Sequence, residues 1–171
     1  VTLTLAASSA LPCPIVTDFM LLTINPSPSA FAGSDAVICT GTNHLITGAS
    51  VSNNLSYSWS ENGSGNLINA STLSPTYIPA PGETGIITIT LSATGTPPCS
   101  LVSDALTLTI NPFPIANAGP AGSMCSGASY SITNASAQNH SSVLWTHNGA
   151  GTLNPIGSLS PTYTPGANET G

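Results

Sequence analysis

Lysine and arginine are missing altogether from this chain of 171 residues, which carries six Asp and Glu and a formal net charge of −6. A protein without cationic side chains has no electrostatic means of gripping phosphate, so nucleic acid is excluded as a partner. Trypsin finds no site to cut. Charge of either sign is scarce, at 4% of residues, yet long apolar runs are absent too. None approaches the roughly 18 consecutive apolar residues of a membrane helix, so no membrane span is expected within this stretch. No signal-peptide pattern stands at Val1, and any export signal is expected to lie outside these residues. No CxxC or CxxH spacing offers a zinc site, and no G-x-S-x-G elbow offers a serine nucleophile. Neither a metal, a cofactor nor a catalytic function is expected. What remains is Thr, Ser, Val, Ile and Asn with 16 Gly and 15 Pro, a β composition rich in turn formers.

What is there is repetition. At an offset of 86 residues Cys13 meets Cys99, Cys39 meets Cys125, and Trp59 meets Trp145, with no insertion or deletion between. Leu73-Ser74-Pro75-Thr76-Tyr77 lands on Leu159-Ser160-Pro161-Thr162-Tyr163, and Ile24-Asn25-Pro26 lands on Ile110-Asn111-Pro112. A long period with so little drift predicts tandem copies of one domain, which favours a spacer, stalk or binding string over an enzyme. The phase divides the chain into three. Residues 1–25 match the last two strands of a preceding module, residues 26–111 make one complete module, and residues 112–171 match a following module without its last two strands. The expectation is a window on a longer array, or a subunit whose open end another completes.

The strands read most clearly late in the module. Ile87, Ile89, Leu91 and Ala93 alternate with Thr88, Thr90, Ser92 and Thr94, the period of a half-buried strand. After Gly95-Thr96-Pro97-Pro98-Cys99, Leu106, Leu108 and Ile110 alternate with Thr107 and Thr109, which predicts a hairpin. Upstream, Tyr57 and Trp59 alternate with serines, and Val143 and Trp145 predict the same strand in the next copy. Loops are built from Asn62-Gly63-Ser64-Gly65 and Pro79-Ala80-Pro81-Gly82. About seven short strands with one Trp on a central strand predict an all-β fold, tandem β-sandwich modules of immunoglobulin type.

Asn117-Ala118-Gly119, Met124-Cys125-Ser126-Gly127, a Trp strand, Ser160-Pro161-Thr162-Tyr163 and a closing Leu108-Thr109-Ile110-Asn111-Pro112 together resemble a known pattern. It is that of the PKD/immunoglobulin-like repeats of large Bacteroidota cell-surface proteins. The resemblance implies a secreted or cell-surface protein exported by the type IX route. It also implies a place in an adhesin or gliding-associated protein, whose repeats hold a functional end away from the cell. Members of that family usually carry an acid after the Gly. Asp35 keeps it, whereas Pro120-Ala121-Gly122 does not, so a calcium or turn role for that acid is not shared by both copies.

Two cysteines per module, at matching places, point to an oxidising compartment. One reading is a bond within the module, Cys39 to Cys99, for which loop-closure entropy predicts around 4 kcal/mol. Against it, Cys99 marks a hairpin tip and Cys39 the end of an early strand. In a sandwich these tend to lie at opposite ends, about 33 Å apart for strands of about ten residues, whereas a disulfide needs Cα atoms within about 7 Å. The second reading joins the early-strand cysteine of one module to the hairpin-tip cysteine of the next. Free thiols are the third. If residues 1–25 of one chain complete residues 112–171 of another, Cys13 and Cys125 could pair with each other.

Other candidates are thinner. His44, His140 and His147 do not recur, which favours ordinary surface histidines. Asp18/Asp104 and Glu83/Glu169 recur but stand alone in sequence, short of the ligand number calcium wants. Trp59/Trp145 and Tyr77/Tyr163 are expected in the core, with a glycan-stacking platform as the alternative. Asn25, Pro26 and Pro28, and again Asn111, Pro112 and Pro114, form short joints that proline should stiffen. The function expected is structural. Identical modules of the same or neighbouring chains would stack head to tail, by strand complementation in one version, in an extracellular filament or adhesin stalk. A carbohydrate-binding module or accessory domain of a secreted enzyme is the alternative.

Overall fold

The computed structural model describes residues 1–170; Gly171, the last residue of the third segment, lies outside the described residues. Every regular element among them is a strand, and they fall into two compact units, Val1–Asn111 and Pro112–Gly171.

Unit 1 opens with β1 (Thr2–Ala7) and β2 (Val16–Leu21), an antiparallel hairpin whose residues are exposed on both faces. Then follow β3 (Ser29–Phe31), β4 (Ala36–Cys39), β5 (His44–Leu45), β6 (Ser50–Ser52), β7 (Asn54–Glu61), β8 (Asn66–Ile68) and β9 (Thr76–Ile78). The unit closes with two long strands, β10 (Gly85–Gly95) and β11 (Val102–Asn111). One sheet has the order β4-β11-β10-β7, antiparallel except that β4 runs parallel to β11. The smaller sheets are β3-β6 and β5-β9-β8.

The expected hairpin is present, with Ile89 opposite Leu106 and Leu91 opposite Asp104. Its alternation has the predicted consequence. Ile87, Ile89, Leu91 and Ala93 of β10 and Leu106, Leu108 and Ile110 of β11 are buried, while the threonines between them are not. All of these buried residues but Ala93 form one core with Ala32, Ile46 and Tyr77. Burial of each large aliphatic side chain contributes about 1.5–3 kcal/mol. Ala30, Val51, Trp59 and Leu73 close the core from its margins.

Unit 2 holds β12 (Ile115–Asn117), β13 (Tyr130–Ser131), β14 (Ser136–Gln138), β15 (Thr152–Asn154) and β16 (Thr162–Thr164), in sheets β12-β14 and β13-β16-β15. These are β3, β5, β6, β8 and β9 again, each 86 residues on. The strand expected around Val143 and Trp145 does not form, and residues 122–125, counterparts of β4, are likewise outside any strand. The physical reason is lateral. In unit 1, β7 pairs with β10 and β4 with β11, whereas Pro112–Gly171 contains no counterpart of β10 or β11. A strand without a neighbour has no ladder to satisfy its N–H and C=O groups.

Candidate functional site

The recurring glutamates prove to be structural fasteners. Tyr77 is completely buried, and its hydroxyl donates to the Glu83 carboxylate at 3.0 Å while accepting from the Gly65 N–H, also at 3.0 Å. Glu83 also accepts from the N–H groups of Ser64, at 2.6 Å, and Ala80, at 2.8 Å. One carboxylate thus ties the Asn-Gly-Ser-Gly loop to β9 and to the turn before β10. Burial works to raise the Glu83 pKa, but those N–H donors and the tyrosine hydroxyl outweigh it and hold the carboxyl below its ordinary value. Burial, together with the neighbouring carboxylates, pushes Tyr77 up to about 12 despite the opposing Gly65 N–H. Glycine is required at position 65. A Cβ there would run into the Ile78 carbonyl oxygen and the Tyr77 ring.

Unit 2 repeats the arrangement. Tyr163 donates to Glu169 at 2.6 Å and accepts from Gly151 N–H at 3.2 Å, and Ala150 and Gly166 donate to the same carboxylate. The hydrogen bond to Glu169 raises Tyr163, and the same bond, first among several, lowers Glu169. Trp59 and Trp145, both half-buried, donate their indole N–H to the carbonyls of Thr72 and Ser158 at 3.0 and 2.9 Å. Asn53 and Asn139 donate to Ser27 and Phe113 carbonyls, each at 3.1 Å. The six-residue spacing from Tyr77 to Glu83 and from Tyr163 to Glu169 was the available signal. Sequence reasoning, treating the acids as isolated, missed the partnership.

A second fastener occurs in unit 1 alone. Asp104 on β11 accepts from Ala32 N–H at 2.8 Å, and Asp35 accepts from Thr107 N–H at 2.7 Å. The acid after the Gly is therefore a strand clasp, and Ala121, its counterpart, cannot serve as one. Among the described residues no group of three or more His, Cys, Asp or Glu is placed to hold a metal ion. His44 lies opposite Tyr77, its pKa lowered by burial, and His147 packs edge-on against Tyr163 with ring centroids 5.3 Å apart.

All four cysteines are free thiols. The bond within the module is not made, and the strands explain why. Cys39 ends β4 beside Asn111, the last residue of β11, and Thr40 N–H donates to the Asn111 carbonyl at 2.8 Å. Cys99 lies beyond the other end of β11, its Sγ 3.7 and 3.6 Å from the carbonyls of Asn25 and Pro26. The ten residues of β11 stand between the two. The Asn25–Pro28 joint is held at the same place, where Asn25 donates to the Pro97 carbonyl at 2.9 Å and Pro28 is buried. Asn111, Pro112 and Pro114 are exposed.

Two surfaces are left uncovered. On the β1–β2 hairpin, Leu3 faces Met20 and Leu5 faces Asp18, the register of β10–β11 repeated. Leu5 is nevertheless 75% exposed and Ile24 73%, whereas their counterparts Leu91 and Ile110 are 0% and 1% exposed. In unit 2 a groove of about 340 Å³ is lined by Ala116, Ala137, Trp145 and Leu159. Their counterparts Ala30, Val51, Trp59 and Leu73 are the residues that pack on the core of unit 1. The groove lies where β10 and β11 would supply that core.

No family model and no curated protein matches this chain. Among solved structures it is similar to the solution structure of the PKD domain from KIAA 1837 protein. The identity is 18% and the TM-score 0.41, over 59% of this chain and 99% of that domain.

Proposed function

We propose that this chain is a structural segment of an extracellular filament or cell-surface stalk, built from sandwich modules that follow one another end to end. The observation that carries this reading is what recurs at 86 residues. Five strands return, and with them the tyrosine–carboxylate fastener, the tryptophan indole bond and the asparagine bond beside the joint. All of these hold the module together. The loop Asn66-Leu67-Ile68-Asn69 has meanwhile become Thr152-Leu153-Asn154-Pro155. A binding array repeats its ligand residues, whereas a spacer repeats its fasteners. Placement outside the cell is supported by the resemblance to surface repeats and by the absence of any tryptic site.

The work is mechanical, and rigidity depends on the joints. Proline limits φ at Pro26, Pro28, Pro112 and Pro114 and favours extended backbone before each, so bending is restricted. Electron microscopy of native, unreduced material tests the reading. Rods with regular module spacing are expected. Separate particles without end-to-end order would count against it and direct attention to glycan binding.

A further inference from the structure

We propose that Asn62-Gly63 is a latent modification site: the folded module shuts it against deamidation, and opening of the β7 edge converts Asn62 to aspartate or isoaspartate, which keeps the loop from refastening.

The chemistry belongs to the residue pair. Glycine has no Cβ to shield its backbone nitrogen. In an Asn-Gly step that nitrogen, once hydroxide has taken its proton, attacks the asparagine Cγ and expels the side-chain nitrogen as ammonia. Water then opens the resulting succinimide at either carbonyl, giving aspartate or isoaspartate. One ammonia leaves, one water is taken up, and no oxidant or reductant takes part.

In unit 1 both reacting groups are engaged. Asn62 Oδ1 accepts from Thr88 N–H at 2.8 Å, and Asn62 N–H donates to the Thr88 carbonyl at 3.3 Å. The Gly63 N–H donates to the Glu61 carboxylate. The asparagine amide is therefore tied to β10. The attacking nitrogen keeps its proton in a bond to an anion, whose charge opposes deprotonation. Asn62 is exposed to solvent, so these hydrogen bonds guard it and burial does not.

The guard stands where opening is cheapest. β7 is an outermost strand of the order β4-β11-β10-β7, and Asn62 follows Glu61, the last residue of β7, which lies opposite Ile89. Edge segments with exposed hydrogen bonds open at far lower cost than core strands. Opening there frees the Asn62 amide from Thr88 and the Gly63 nitrogen from Glu61 together.

The product does not fit back. The Tyr77 hydroxyl and the Glu83 carboxylate stand where a Cβ at position 63 would, so the backbone there has no clearance. Isoaspartate adds a methylene to the main chain directly before it. Either product also places a new carboxylate beside Glu61 and close to Glu83, in a chain with no Lys or Arg to offset it. The bonds from Ser64 N–H and the Tyr77 hydroxyl to Glu83 are the ones disturbed.

The test holds the native chain and the urea-unfolded chain in the same mildly alkaline buffer and digests timed samples with chymotrypsin. The Ser60–Leu67 peptide is read by mass spectrometry with electron-transfer fragmentation, which separates isoaspartate from aspartate. Asn62 should deamidate at least about tenfold more slowly in the native chain, because reaction waits on opening. Equal rates would overturn the protection. Glu61→Ala should raise the native rate several-fold with unchanged circular dichroism, and an unchanged rate in the folded variant would overturn the guard. The unsubstituted chain supplies a check that no misfolded variant can spoil. Urea below the unfolding transition should speed deamidation of Asn62 in step with hydrogen exchange at Gly63, and a rate indifferent to urea would overturn the opening step. Finally, chain deamidated in urea is returned to native buffer and exposed to chymotrypsin. Tyr77, completely buried in the fastened loop, should resist cleavage in the unmodified chain and yield in the isoaspartate form. Equal resistance would overturn the failure to refasten.

Discussion

At the scale of single residues, the fold is fastened by carboxylates that accept from backbone N–H groups rather than from cations, since the chain has none. Glu83 illustrates the consequence for pH. Its folded pKa lies below the ordinary 4.5, so the stability it adds is fully present above that value. That stability is lost as pH falls through the lower, folded value. Glu169 shifts in the same direction. Acid titration followed by intrinsic fluorescence should therefore show loosening only below pH 4.5, and Glu83→Gln should flatten that limb. Tyr77 acts at the other extreme. Its pKa is raised from 10.0 to about 12, so its contribution is complete below pH 10 and disappears as pH rises towards 12. Tyr77→Phe leaves the Glu83 carboxylate and the Gly65 N–H without this partner, with an expected cost of roughly 1–3 kcal/mol in urea melts. The alkaline transition should lose amplitude with it.

At the scale of elements, one pattern of side chains has two fates. Residues 87–110 and 1–24 share the same alternation of aliphatics and threonines, but only the first pair of strands is covered within the chain. Leu91→Ala should cost about 2–5 kcal/mol, because a fully buried leucine leaves a cavity in β10. Leu5→Ala, at the equivalent position, should change the stability of the monomer by no more than about 0.5 kcal/mol. Parallel denaturation curves of the two variants check the contrast, and equal losses would mean that the hairpin is covered in solution. The hairpin itself was legible in sequence because a period of two is a local property of the chain. The strand expected at Val143–Trp145 was not, because a strand exists only where another lies beside it.

At the scale of the whole molecule, the two units should differ in protection. Unit 1 has a closed core of nine buried residues, whereas unit 2 has an open groove where that core would be. Amide hydrogen exchange should show β10 and β11 as the slowest segments and residues 140–147 among the fastest, since local opening follows the number of buried contacts and ladder bonds. Slow exchange at 140–147 in dilute monomer would contradict the open groove. Stability in longer arrays should rise approximately additively with complete modules and their neighbour contacts.

The sequence by itself determined the β class, the turn-rich loops, the 86-residue recurrence and the placing of the final hairpin. All of these follow from composition and from spacing along the chain. Whether Cys39 pairs with Cys99 or with a neighbouring module could not be resolved at that level. Separation in space depends on which way β4 runs beside β11, and a parallel pairing leaves no local trace. The same holds for Tyr77 with Glu83 and Asp104 with Ala32, partners joined by loop paths and strand crossings rather than by pattern. Only the tertiary structure decided which acids fasten the fold and which cysteines stand apart. It decided too that matching aliphatic faces are buried in β10–β11 and exposed in β1–β2, because burial belongs to the partner surface and not to the residue.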